Sequence, residues 1–305
     1  MTGFPAAVRI REVGPRDGFQ NEPGTVPTAD KVALIDALAR TGLRRLEVTS
    51  FVRAEVIPQL ADAEAVLAAI DPPPGVALSV LVPNRRGLDR ALARRDRFHE
   101  VGVFLSASET HNRRNVNRSV AESLAEAAAV LRRAGEAGLR GEAVISVSFG
   151  CPYEGRVPVA RVLALGAALC EAGAAELSFA DTTGMANPRQ VDEFFAAART
   201  ALGDDVELTA HFHNTRGAGL ANVLAALAAG VDSFEASIGE LGGCPVPSGA
   251  TGNIATEDLV SMLEEMGVAT GVDLPALIAC ARQAEGALGR ALGSHTLRAG
   301  PVNWG

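Results

Sequence analysis

The chain alternates between two kinds of segment from one end to the other. Eight short β-rich runs recur: "VRIREV" (8–13), "RRLEVT" (44–49), "VALSVLV" (76–82), "EVGVFLSA" (100–107), "AVISVSF" (143–149), "AELSFA" (175–180), "VELTAHFH" (206–213) and "DSFEASIG" (232–239). Between them lie Ala/Leu-rich stretches of helical period at 28–42, 118–137, 157–172, 188–202 and 216–229, with 256–267 after the eighth run. Several end at a glycine (Gly138, Gly173, Gly203, Gly230), and in the first Thr28 stands where it can cap and Gly42 where it can terminate. Parallel strands need a crossover between them, usually a helix, so this repetition specifies a parallel sheet. Eight units predict an α/β fold, a single (β/α)8 TIM barrel over residues 1–305, with an extra C-terminal helix at 273–289. An open doubly wound sheet is the rival, but no GxGxxG follows the first run and the element count favours closure.

A composition that is 48% hydrophobic suffices for a large core. The net charge is −8 with no basic block, which argues against nucleic acid or an anionic membrane as a partner. No apolar stretch reaches membrane-spanning length without charge or turn residues, and the first run begins at Val8, too early for a signal peptide. Cys151, Cys170, Cys244 and Cys280 are far apart and form no CxxC, so neither a disulfide framework nor a thiolate zinc site is expected. A cytoplasmic setting follows as the expectation.

In a barrel, chemistry sits just beyond the C-terminal ends of the strands. After the first run comes "GPRDGFQNE" (14–22), with Arg16, Asp17 and Gln20; taken alone it reads equally as a polar turn. Glu47 alternates with Leu46 and Val48, which turns it toward the opposite face and makes it a carboxylate inside the barrel, in need of a partner. The sixth run ends in "SFADTTG", where Asp181, Thr182 and Thr183 meet a turn signal at Gly184. The seventh ends in "TAHFHNTRG", which places His211 and His213 on one face and Phe212 on the other. An isolated HxH is more often structural; its position at an active-site end reverses that balance. The loop "GELGGCPVPSGATGN" (239–253) holds five glycines, Cys244 in the middle and Asn253 at its end, and reads as a mobile lid.

Closure makes the first, seventh and eighth strands neighbours, so Asp17, His211, His213 and Asn253 converge as candidate metal ligands. Two nitrogens, two oxygens and no thiolate favour Mg²⁺ or Mn²⁺ over zinc, with open positions at which the ion acts as a Lewis acid. Lys31 is the sole lysine and falls near the start of the first helix, on the outer ring. A lysine Schiff base is thereby disfavoured, and carbon–carbon cleavage in this barrel would run through the metal.

The segments "EVGPRDGFQNE", "EVTSF", "SFGCPYEG", "HFHNT" and "GGCPVPSGATGNIATEDLV" together resemble the 3-hydroxy-3-methylglutaryl-CoA lyase family, within the metal-dependent lyase and Claisen-condensation barrels, from Val8 to about Leu274. The resemblance implies Asp17, His211, His213 and Asn253 as metal ligands and Arg16 as the stabiliser of a thioester enolate. It implies Cys244 as a lid residue in proton transfer, and Glu47 and Asp181 as acidic groups of the active site. It implies an acyl-CoA substrate cleaved at C2–C3 to acetyl-CoA and a ketone, acetoacetate in the parent reaction, with His211 or Asp17 relaying the hydroxyl proton. Gln20, Ser50 and Thr182 are expected to contact substrate, and Arg113 and Arg114 to hold CoA phosphates, against the plainer reading of 106–119 as a solvated loop. A homo-oligomer, dimer or larger, is also implied, with the C-terminal helix as the contact. Phe19 and Asn214 depart from the family pattern, where leucine and aspartate are usual. They leave the metal site intact but keep open a longer or differently substituted acyl group.

Three other readings compete. Condensing relatives of the isopropylmalate or homocitrate synthase type carry extra C-terminal domains and lack the cysteine-bearing loop. Barrel hydrolases place HxH on the first strand. A non-catalytic acyl-CoA or metal-binding protein predicts lost ligands, whereas every matched position here is filled.

Overall fold

Each of the eight β-rich runs forms a strand that pairs in parallel with the next, and the last closes on the first. The computed structural model describes residues 3–243 and 252–304. The strands are β1 (Arg9–Glu12), β2 (Arg45–Ser50), β3 (Ala77–Leu81), β4 (Glu100–Ser106), β5 (Arg140–Ser146), β6 (Ala174–Asp181), β7 (Glu207–Phe212) and β8 (Ser233–Ala236). The helices are α1 (Thr28–Leu38), α2 (Ala63–Ala69), α3 (Arg85–Leu92), α4 (Glu109–Val116), α5 (Val120–Glu136), α6 (Val159–Glu171), α7 (Pro188–Leu202), α8 (Gly219–Ala228), α9 (Thr256–Glu265), α10 (Leu274–Leu288) and α11 (His295–Ala299). The barrel is therefore a (β/α)8 TIM barrel, and α10 is the extra helix expected over 273–289, packed on α1 and α9. Among the described residues no helix is long and apolar enough to cross a membrane.

Local chemistry sets most helix ends. Asn187 accepts from the Gln190 amide ahead of Pro188, and α7 stops at Gly203, whose φ of 76° suits glycine. A capping box of Ser119 and Glu122 opens α5. Thr28 does not cap α1. It is the first helical residue after Pro27, and its hydroxyl bonds Asp62 instead. Helix α1 ends at Leu38, short of Gly42. Strand β5 begins three residues before the expected run, because Arg140 pairs there with Glu207.

Two interiors result. Outside the sheet, Phe149, Phe179, Phe194, Phe195 and Phe212 pack ring against ring between the strands and α7, with centroids such as Phe149–Phe194 at 4.8 Å. Inside the barrel the filling is ionic. Arg11, 1% exposed, bonds Glu100, Glu142, Glu176 and Glu235 from four other strands. Arg45 bonds Glu100, Glu176 and Glu207. Lys31 is buried in the helical layer, on Asp62 at 2.7 Å and the Gln59 carbonyl.

Candidate metal centre

The site begins where β1 ends. The chain tightens at once into a wide helical turn, Gly14–Gly18, in which the Asp17 amide donates to the Val13 carbonyl at 2.7 Å. Buried Glu12 braces this turn: its Oε1 accepts from the amides of Gly14 at 2.7 Å and Ile238 at 2.9 Å, and its Oε2 accepts from the Thr256 hydroxyl. A Cβ on Gly14 would lie 2.7 Å from that Oε1, so glycine is required there for close approach. Asp17 and Arg16 consequently project over the barrel mouth, with side chains only 13% and 11% exposed.

Residues 252–255 run back along the mouth. The Ile254 amide donates to the Phe212 carbonyl at 3.0 Å and the Asn214 amide to the Gly252 carbonyl at 3.1 Å, so Asn253 bridges directly to His213. Asn214, the departure from the family's aspartate, donates its amide to Glu240 at 2.6 Å, which a carboxylate could not do. Phe19, the other departure, is buried in the core.

Asp17, His211 and His213 each present a ligand atom within 4.8 Å of the others. Asp17 Oδ1 accepts from Arg16 at 2.9 Å and Gln20 at 2.6 Å, and Oδ2 accepts from the Asn253 amide at 2.7 Å. Two buried atoms beside it have no hydrogen-bond partner among the described residues: Asn253 Oδ1 and His213 Nδ1. Unsatisfied buried acceptors are costly, and a cation satisfies such atoms. Electrostatics agree. Burial pushes His213 down to about 3, with His211 adding to the effect, so the ring is neutral and its lone pair is free. Burial works to raise Asp17, but Arg16, then His211 and the Asn253 hydrogen bond, outweigh it and hold the carboxylate ionised. Two imidazoles, a carboxylate and an amide oxygen fit a divalent cation.

The acidic neighbours fall into place around this set. Glu47 accepts from Arg16 Nε at 2.6 Å, which answers its need for a cation, although burial still leaves its pKa raised. Asp181 Oδ1 accepts from the amides of Met185 and Ala186, while Oδ2 is buried without a partner among the described residues and burial lifts the carboxyl to about 6. Ser50 and Thr182 close β2 and follow β6, and their hydroxyl oxygens accept from the amides of Val52 at 3.2 Å and Val147 at 3.0 Å. Arg113 and Arg114 are exposed on α4, one paired with Glu109 at 2.8 Å and the other 4.3 Å from the centre of the Tyr153 ring. Cys244 and most of the expected lid lie outside the described residues.

The reading of the sequence passed over Glu235. It pairs in register with His211 and accepts at 2.8 Å from its Nδ1. Its signal was the one that singled out Glu47: a lone charge, in "SFEAS", alternating with buried Phe234 and Ala236.

A family model described as HMGL-like matches residues 7–283. The chain is 47% identical over 295 residues to hydroxymethylglutaryl-CoA lyase YngG of Bacillus subtilis, covering 97% of this chain and 98% of that one. It is 43% identical to the hydroxymethylglutaryl-CoA lyase of Pseudomonas mevalonii, over 89% of each chain. The crystal structure of a Bacillus subtilis HMG-CoA lyase superposes with a TM-score of 0.94 at 46% identity, over 97% of this chain and 99% of that one. An HMG-CoA lyase from Acinetobacter baumannii, in complex with coenzyme A and 3-methylmalate, superposes with a TM-score of 0.93 at 40% identity, over 100% and 98%.

Proposed function

The chain belongs to the HMGL-like family, and on that premise we propose that it cleaves 3-hydroxy-3-methylglutaryl-CoA to acetyl-CoA and acetoacetate as a metal-dependent carbon–carbon lyase. The observation that carries this reading is the convergence of Asp17, His211 and His213 at the barrel mouth, with the Asn253 oxygen, unpartnered among the described residues, beside them and Arg16 on the same turn as Asp17. A divalent ion of the magnesium or manganese kind, when bound by these four residues, supplies the Lewis acidity that makes a tertiary hydroxyl easier to deprotonate.

The chain's own groups do the rest. The proposed acceptor of the hydroxyl proton is Asp17 or Asp181, because His211 turns Nδ1 to Glu235 and keeps only Nε2 for the ion. As that proton leaves, the C2–C3 bond breaks, the ketone departs and the electron pair passes to the thioester as an enolate. Arg16, fixed by Glu47 and Asp17, aims a permanent positive charge at the enolate oxygen. The enolate carbon then takes a proton, for which Cys244 is the proposed donor or relay, carried in on closure of the 239–253 loop.

Gln20, Ser50 and Thr182 are proposed substrate contacts. The last two each spend only the hydroxyl oxygen on a main-chain amide and keep the proton to donate. Arg113 and Arg114 are proposed contacts for the CoA phosphates. Helix α10 is the proposed contact of a homo-oligomer.

The test is acetyl-CoA release from a panel of 3-hydroxy-3-alkylglutaryl-CoA esters, with Mg²⁺ or Mn²⁺ and then with EDTA. The 3-methyl ester is expected to be the best substrate and to be inert after chelation; no metal-dependent release from any ester would refute the reading.

A further inference from the structure

His211 and His213 look equivalent in sequence and are not equivalent in the barrel. His213 Nδ1 is buried without a partner among the described residues, whereas His211 Nδ1 lies 2.8 Å from Glu235 Oε2. That carboxylate is itself held on both oxygens. Its Oε1 accepts from Arg11 at 2.9 Å and its Oε2 from the Ser178 hydroxyl at 2.9 Å. Arg11 cannot rotate away, being clasped as well by Glu100, Glu142 and Glu176. Glu235 is thus an acceptor locked in place, and the Nδ1 opposite it must carry the proton.

We infer that Glu235, anchored by Arg11, is a positioning residue that fixes His211 as the Nδ1–H tautomer and presents its Nε2 lone pair to the metal. The inference rests on the proposed metal site and adds to it the cause of the ring's orientation. A carboxylate behind a ligating histidine typically contributes about 10- to 100-fold in metal affinity.

Glu235→Gln tests this sharply, because Arg11 dictates how the amide must sit. The guanidinium only donates, so the amide oxygen turns to Arg11 and its NH₂ group turns to His211. Nδ1 then has to accept, and the proton moves to the nitrogen that faces the metal. Two measurements on the purified full chain read this out. In the metal-free protein at alkaline pH, ¹⁵N–¹H correlation spectra of the imidazoles are expected to show His211 protonated on Nδ1 in wild type and on Nε2 in Glu235→Gln. Titration calorimetry with Mn²⁺ is expected to show affinity reduced by about 10- to 100-fold in Glu235→Gln. Glu235→Asp keeps the acceptor and is expected to recover the Nδ1–H tautomer and part of the affinity. Should Glu235→Gln fail to fold, the wild-type spectrum decides, since an Nε2–H tautomer there overturns the inference. An unchanged tautomer and Mn²⁺ affinity in Glu235→Gln also overturns it. Absence of Mn²⁺ binding by wild type would instead overturn the metal site on which the inference rests, and the inference with it.

Discussion

At Arg16 a single side chain serves two neighbours at once. Nε donates to Glu47 and one terminal nitrogen to Asp17, which leaves the remaining donors of the fork for the proposed enolate contact. Lysine keeps the charge but not the fork. Arg16→Lys is therefore expected to lower kcat by about 10²- to 10³-fold, the cost of a lost oxyanion donor. Mn²⁺ affinity should stay within a few-fold, and calorimetry beside initial rates separates the two effects; an equal loss of both would make Arg16 part of the metal site. Gly242 gives the converse. Its φ is 103°, and a Cβ there would stand 2.6 Å from Asn253 Nδ2 and 3.3 Å from Asp17 Oδ2. Gly242→Ala should displace the Asn253 amide and weaken Mn²⁺ binding by roughly tenfold, with backbone strain on the order of 1–3 kcal/mol visible in the melting temperature. The convergence of Asp17, His211 and His213 was legible in the sequence because alternation and strand order place them. Glu235 and Gly242 were not, since their roles depend on which atom faces them across the barrel.

Elements hold these residues through buried carboxylates at the loop bases. Glu12 ties the turn after β1 to residue 238, and Glu257, in the first turn of α9, accepts at 3.0 Å on each oxygen from the Gly239 amide. Burial raises both, Glu12 to about 7 and Glu257 to about 8, from an ordinary 4.5. A carboxyl whose folded pKa is raised binds its proton in the native state where the unfolded chain has released it. Stability then falls as pH rises from about 4.5 through 8 and is level above that. Glu257→Gln keeps the oxygen acceptor and removes the titration. Its stability in urea unfolding should gain on wild type between pH 5.5 and 8.5, by an amount on the order of a few kcal/mol at most; a gap independent of pH would contradict the raised pKa. The same scale shows where sequence reading stopped. Strands were legible because each is a buried run between turn signals. Helices α2, α3, α4 and α11 were missed because none runs beyond 8 residues, too short a window for helical period to show. The start of β5 was hidden for a related reason: its first residue is an arginine that belongs to the ionic interior.

Across the whole molecule, that interior replaces the layers of branched apolar side chains usual in such barrels. Arg11 on β1 reaches carboxylates on β4, β5, β6 and β8, so one guanidinium ties together five of the eight strands. The carboxylates are unequal. Burial holds Glu142 well above the usual range despite Arg11, whereas Glu235 is held well below it because His211 and Arg11 outweigh burial. The cluster therefore keeps a proton that the excess of negative charge demands. Removing this cation leaves Arg45 on Glu100 and Glu176 but strips Glu142 and Glu235 of their guanidinium away from water, and breaking a buried ion pair from one side typically costs about 3–5 kcal/mol. Arg11→Leu is expected to lose that much in urea unfolding. The deficit should be larger at pH 8 than at pH 5, because at the lower pH the orphaned carboxyls take up protons and cease to repel. Adding Glu142→Leu removes one of the orphans, so the double variant should recover part of the loss, and the difference measures the coupling between the two side chains. An Arg11→Leu protein as stable as wild type at pH 8 would mean that the barrel closes on its backbone ladder and outer packing alone, with the ionic core contributing only the orientation of His211.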